Sequence, residues 1–226
     1  MRTYTWGDTE TSGLGNDAGV VEIAWIETDA DFNVLNTYRS LINPETKIQF
    51  GAMSVHGITE SMVADQPTIA QFMAEHGYPL SGPDKVLCCH NVSFDRRFFD
   101  PWMDDDTERL CTLKCARLIY PEAENHKLQT LKYMFDLTGD HDKAHTALED
   151  VTVMIQLAQR MCADINGGID DLLELQNRPV VITLMPWGKH KGRNLQDLPP
   201  DYVNWLLTKA EKVDDNLRAA LTAIFK

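Results

Sequence analysis

Three stretches of this chain carry residues that could hold a divalent cation and move a proton. Asp8-Thr9-Glu10-Thr11 closes the first β-prone run, Thr3-Tyr4-Thr5-Trp6. Two carboxylates separated by one residue on an extended backbone point to the same side. Without a counter-charge they repel, and one would keep a proton; a divalent cation removes that conflict and uses both. Alone, the pair is a weak signal in an acidic chain, where a solvated strand end is the commoner outcome. Asp95 follows a short apolar run, and His145 with Asp150 opens the most periodic helical stretch. Asp150 adjoins Val151, one turn before Met154, beside an apolar stripe where an unpaired carboxylate is costly.

The elements that must position these residues can be read from pattern. Val20–Ile26 and Val34–Ile42 read as strands joined by turn chemistry at 29–33, so three early strands run consecutively and antiparallel. Gly7 predicts a local irregularity in the first of them. Residues 52–63 read as two short helical turns around Gly57, and 68–76 as a helix. Lys85–His90 reads as a buried strand, with Ser93 as N-cap of a helix through Phe99, and Arg109–Thr112 as a fifth strand. Ala147, Leu148, Val151, Met154, Ile155, Ala158, Met161, Cys162 and Ile165 recur at steps of three and four, the spacing of one helix face. Asn166-Gly167-Gly168 stops that helix.

A separate unit begins at Pro179. It reads as a strand at Val180–Leu184, the turn Pro186-Trp187-Gly188, the basic run Lys189-His190-Lys191-Gly192-Arg193, and two helices at 201–210 and 214–225. So short a segment makes a poor core alone, which predicts that it leans on the preceding body.

The chain has 226 residues, and a hydrophobic fraction of 43% supports a packed core. A net charge of −13 argues against broad electrostatic attraction to nucleic acid. The charge is uneven: from Pro179 onward seven Lys/Arg face five Asp/Glu, a net of +2, which leaves −15 on the first 178 residues. Nothing at the start resembles a signal peptide, and no apolar run is long enough to span a bilayer. Five cysteines, two of them adjacent and none in paired zinc spacing, point to a reducing, cytoplasmic setting.

Together, Asp8-Thr9-Glu10-Thr11, the run His90-Asn91-Val92-Ser93-Phe94-Asp95, and His145 followed five residues later by Asp150 resemble the three motifs of the DEDDh (DnaQ-like) 3′→5′ exonucleases. The resemblance covers residues 1 to about 165, in order. The run Ala52–Val63, the sequence Asp95-Arg96-Arg97 and the tail Trp187–Arg193 are similar to the exodeoxyribonuclease X branch of that family. The resemblance implies an α/β fold: a ribonuclease H-like mixed five-stranded sheet flanked by helices, with a small C-terminal α+β appendage. It implies an exonuclease domain over 1–168, a linker over 169–178 and a C-terminal module over 179–226.

It also implies two Mg2+ (or Mn2+) ions, the hard cations that carboxylate oxygens prefer over zinc. Asp8 would bridge them, Glu10 and Asp150 would complete one site, Asp95 would act through water, and His145 would be the general base. Thr11, Ser12, Gly13 and Leu14 would meet the terminal 3′-OH through backbone N–H groups and a hydroxyl. Leu14, His56, Ile58 and Phe94 would hold the last bases, with Asn91 also at the substrate, and Lys189, Lys191 and Arg193 would contact phosphates. The expected partner is DNA with a free 3′ end, single-stranded or at a duplex end, hydrolysed to 5′-mononucleotides. The alternatives are RNA as substrate, or a non-catalytic nucleic-acid-binding adaptor. The sequence leaves monomer and homodimer both open.

Overall fold

The first three strands are consecutive hairpin neighbours: β1 (Thr3–Thr11), β2 (Val20–Thr28) and β3 (Val34–Leu41). In the computed structural model, which describes residues 2–15, 17–76, 80–137, 146–178, 182–210, 213 and 215–225, β1 pairs antiparallel with β2, and β2 with β3. β4 (Lys85–Cys89) then adds parallel to β1 on its other side, and β5 (Glu108–Cys111) parallel to β4. The sheet order is therefore β3-β2-β1-β4-β5, the mixed five-stranded α/β sheet expected from the sequence. β1 lies at its centre, which places the Asp8 and Glu10 backbone between two partners.

Helices cover both faces. Between β3 and β4 run α1 (Phe50–His56), α2 (Glu60–Val63) and α3 (Ile69–His76); Gly57, at φ 73°, closes α1 in the left-handed region that glycine reaches without strain. α4 (Val92–Phe99) follows β4. α5 (Thr112–Ile119) and α6 (Leu128–Met134) follow β5. α7 (Ala147–Asp164) lies across β1 and β2, and its stripe Val151, Met154, Ile155, Ala158 and Met161 is buried against Tyr4, Trp6, Ala24 and Ile26. A second apolar cluster, including Ile23, Trp25, Phe72, Leu87 and Phe99, forms around the α3 and α4 residues. β2 contributes to both clusters and is buried along its whole length.

Gly7 does not make β1 irregular. Its register continues from Trp6 through Asp8, and the one shift lies between Glu10 and Thr11. Glycine stands there because a Cβ would lie 2.6 Å from Cζ of Phe99, so the missing side chain lets the α4 aromatic ring touch the strand. The cap of α4 is Asn91 rather than Ser93. Asn91 turns at φ 86°, and the Ser93 hydroxyl donates to Asn91 Oδ1 at 2.8 Å.

The chain divides into two compact units, Met1–Gln176 and Asn177–Lys226. Most of the stretch read as a linker, 169–178, belongs to the first unit. It forms α8 (Ile169–Leu175), whose Ile169, Leu172 and Leu173 are buried in the main core, and the Gln176 side chain bonds to Cys111 N and Arg109 O of β5. Gly167 and Gly168 separate it from α7, which ends at Asp164.

The second unit contains α9 (Pro200–Thr208) and α10 (Asp215–Ile224). Residues 180 and 181 of the expected strand lie outside the described residues, and Leu184 makes an isolated bridge to Asn194 rather than a strand. This unit buries a cluster of its own, including Met185, Leu195, Val203, Leu206, Leu217 and Leu221, so its short length does not prevent a local core. Among the described residues, no helix is long and apolar enough to cross a membrane.

Candidate active site

At the C-terminal end of β1, alternation puts Asp8 and Glu10 on the α7 face and Thr9 on the opposite one. α7 brings Asp150 to the first pair. One carboxylate oxygen from each of Asp8, Glu10 and Asp150 lies within 4.8 Å of the others, close enough for one cation to touch all three. Asp95 arrives from the other face on α4. It is buried, and its Oδ1 accepts from the Thr9 hydroxyl at 3.0 Å. The strand thus carries two carboxylates on one face and, on the other, the residue that holds Asp95.

No lysine or arginine pairs with Asp8 or Glu10 among the described residues. Burial, then repulsion from Asp95, Asp150, Glu10 and Glu22, pushes the Asp8 carboxyl far above its ordinary range. Burial and the neighbouring Asp150, Glu22 and Asp95 push Glu10 up to about 8. Asp95 is raised by burial to about 7, although the Thr9 hydroxyl, backbone N–H groups and Arg97 pull it down. Such crowding is the electrostatic shape of a cation site: hard oxygen donors and excess negative charge, with Asp8 and Glu10 unpaired by any Lys or Arg among the described residues. The residues present therefore fit a divalent metal.

Asp150 is held by Gln129 of α6, whose Nε2 donates to Oδ1 at 2.6 Å. The start of α7 is fixed twice. Thr146 Oγ1 accepts from Glu149 N at 3.3 Å, and Glu22 Oε2 accepts from Ala147 N at 2.9 Å. Glu22 sits opposite Glu10 in the β1–β2 register and is almost fully buried. Its other oxygen bonds to Arg39. Lys132 of α6, also buried, pairs with Glu149 at 2.8 Å. Sequence reading missed Glu22, Gln129 and Lys132, because none lies in a recognisable motif. The one available signal was Glu22 itself, a charged residue inside an apolar strand run. His145 lies outside the described residues; in sequence it immediately precedes the Thr146 cap.

The proposed substrate contacts separate into several groups. The Thr11 hydroxyl donates to Gly13 O, and the Ser12 hydroxyl accepts from Gly19 N, so both close the loop on itself. Ser12 N is also engaged, by Gly19 O, and the Gln49 side chain covers Gly13. Leu14 projects from this loop, 85% exposed. The ring of His56 reaches Thr11 O through Nε2 at 3.3 Å, while Nδ1 accepts from Ile58 N, which places the proton on Nε2. Ile58 is buried with Val21, Ile48 and Val63. Phe94 is half-buried on α4; the Arg97 guanidinium lies 4.6 Å from its ring centroid and donates to Gly15 O. Asn91 serves as the turn before α4. Lys189, Lys191 and Arg193 are exposed and belong to the second unit.

The family described as Exonuclease (RNase_T) matches residues 5–158. A second family, described as "Putative quorum-sensing-regulated virulence factor", matches residues 172–213. Exodeoxyribonuclease 10 of Escherichia coli K12 is 31% identical over 219 residues, covering 95% of this chain and 94% of that protein. Among solved structures, exonuclease X in complex with 5′-overhanging duplex DNA superposes with a TM-score of 0.61 at 28% identity, over 78% of this chain and 100% of that one. Exonuclease I of Escherichia coli with a dA16 oligonucleotide gives a TM-score of 0.65 at 18% identity, over 95% of this chain and 61% of that one, a likeness of fold. With the family matched from β1 through α7 and a relative aligned almost end to end, this chain belongs to the DnaQ-like DEDDh family of 3′→5′ exonucleases.

Proposed function

We propose that this exonuclease acts on DNA, releasing 5′-mononucleotides from a free 3′ end with two divalent cations, Mg2+ or Mn2+, and with His145 as general base. The observation that carries the reading is the convergence of Asp8, Glu10 and Asp150, with Asp95 brought in through Thr9. These four carboxylates would hold the cations. When bound, the cations supply neutralisation of charge at the phosphodiester and a more acidic water. Glu22 and Gln129 hold the start of α7 and the Asp150 carboxylate in place. His145 would take the proton of the attacking water on an imidazole nitrogen, a task suited to an ordinary pKa near 6.5. The exposed Leu14, together with His56 and Phe94, would meet the terminal nucleotide. DNA as substrate is supported by the 28%-identical exonuclease X, solved with a DNA duplex. Five free, buried cysteines support a reducing cytoplasmic setting.

The test is release of mononucleotides from matched DNA and RNA strands labelled at either end, with Mg2+ or with EDTA. The reading expects Mg2+-dependent loss of the 3′ label first, on DNA in preference to RNA. His145→Ala should lower turnover by roughly 10²–10⁴-fold, with partial recovery at high pH. Near-normal turnover of His145→Ala at neutral pH would remove the base from the mechanism.

A further inference from the structure

The second unit is charged unlike the first. Residues 177–226 carry eight Lys/Arg against five Asp/Glu, a net of +3, while residues 1–176 carry thirteen against twenty-nine, a net of −16. Seven of the thirteen cations of the first unit pair with carboxylates among the described residues: Arg2, Arg39, Lys85, Arg96, Arg109, Lys132 and Arg160. Among the described residues, Lys189, Lys191 and Arg193 make no ion pair, and all three are exposed. They sit on a turn whose backbone is fixed from both ends. Met185 N donates to Arg193 O, Gly192 N to Met185 O, and Leu195 N to Thr183 O, each at 2.8 Å. Gly188 and Gly192 stand at φ 77° and 79°, conformations that a side chain would strain.

Beside this turn lies a row of rings. Lys189 Nζ is 5.5 Å from the Tyr202 ring centroid, and the His190 ring meets the same ring edge-on at 4.6 Å. Tyr202 stacks with Trp205, one turn on along α9, at 5.7 Å and an interplanar angle of 24°. Trp205 is 44% exposed, although α9 has a buried face of Val203 and Leu206 available. An exposed tryptophan laid on a tyrosine, beside three unpaired cations, joins a stacking surface to phosphate contacts. Single-stranded nucleic acid needs that combination, because its bases are free to stack and its backbone is negative.

We propose that the second unit is a binding site for single-stranded nucleic acid, with Trp205 and Tyr202 stacking on unpaired bases and Lys189, Lys191 and Arg193 holding the flanking phosphates. The inference rests on the proposed function only for the class of ligand. It concerns residues outside the carboxylate centre.

The test uses the full chain in EDTA and fluorescein-labelled dT20 and rU20, followed by anisotropy. Trp205→Ala should weaken one or both by about tenfold, and Trp205→Phe should restore most of the loss. Neither change should affect a blunt duplex of the same length, whose bases are already stacked. Changing Lys189, Lys191 and Arg193 to Ala should lower the slope of log affinity against log salt by about 2. The preferred strand between dT20 and rU20 separates DNA from RNA as the ligand, and either one supports the site. Equal affinity of wild type and Trp205→Ala for both strands overturns it, as does an equal loss on strand and duplex. If Trp205→Ala fails to fold, the triple variant on the exposed turn decides, and an unchanged salt slope then overturns the site. Hydrolysis by the wild type in Mg2+ is scored separately. No cleavage together with a Trp205-dependent affinity would defeat the proposed function and leave this site standing; cleavage with no such dependence would do the reverse.

Discussion

Crowded carboxylates at the end of β1 make the metal-free protein less stable than its fold alone would allow. A carboxyl whose folded-state pKa lies above its unfolded value holds more protons when folded. The stability it contributes is therefore full below the unfolded value and is lost as pH rises through the folded one. With Asp95 near 7 and Glu10 near 8, the window runs from about 4, the ordinary carboxyl value, up to about 8. Melting in EDTA should thus occur at a temperature lower by about 3 °C or more at pH 8 than at pH 5.5, and added Mg2+ should narrow the gap. A melting temperature that rises over this range in EDTA would contradict the crowding. Asp8→Asn should raise melting in EDTA by removing one charge, yet reduce hydrolysis by about 10²-fold or more. Parallel losses of stability and activity would instead mark Asp8 as a structural residue.

Positions of whole elements depend on residues that no motif marks. Glu22 ties β2 to the first turn of α7 through Ala147 N, and to β3 through Arg39. Glu22→Ala leaves a buried N–H and a guanidinium without their acceptor and should cost about 1–3 kcal/mol, with faster hydrogen exchange at the Ala147 amide. Glu22→Gln should cost less, since it keeps an acceptor and removes repulsion on Glu10. If Glu22→Ala exchanged no faster than wild type at Ala147, the tie would be incidental. Gly7 sets the distance of α4 in the same indirect way. Gly7→Ala should displace Phe99, and with it Asp95 four residues earlier, lowering activity more than stability; adding Phe99→Leu should recover part of the loss. The α7 stripe was legible from its period, and the three early strands from β-prone runs bounded by turn residues. The roles of Gly7 and Asn91 were not, since they depend on a ring and a turn that only folding brings together. Of the tail strand, the described residues 182–184 keep only an isolated bridge, because an apolar run does not say how far a pairing will extend.

On the scale of the molecule, an exonuclease with −16 on its first unit should repel its own substrate until cations occupy the centre. Replacing EDTA with Ca2+, which takes the same oxygen ligands, should tighten binding of a single strand by about tenfold. Unchanged affinity would mean that the cations do not touch the substrate. The Thr9–Asp95 hydrogen bond has a mechanical consequence as well. One strand carries Asp8 and Glu10 toward α7 and secures Asp95 from the α4 side, so cations held among these acidic side chains would act as a rivet through the sheet. Rivets report the fit of the plates they join. Metal affinity should therefore fall when either helix is loosened far from the centre, as by Met161→Ala in the buried stripe of α7, and a metal titration of this protein doubles as a gauge of how tightly its two layers are closed.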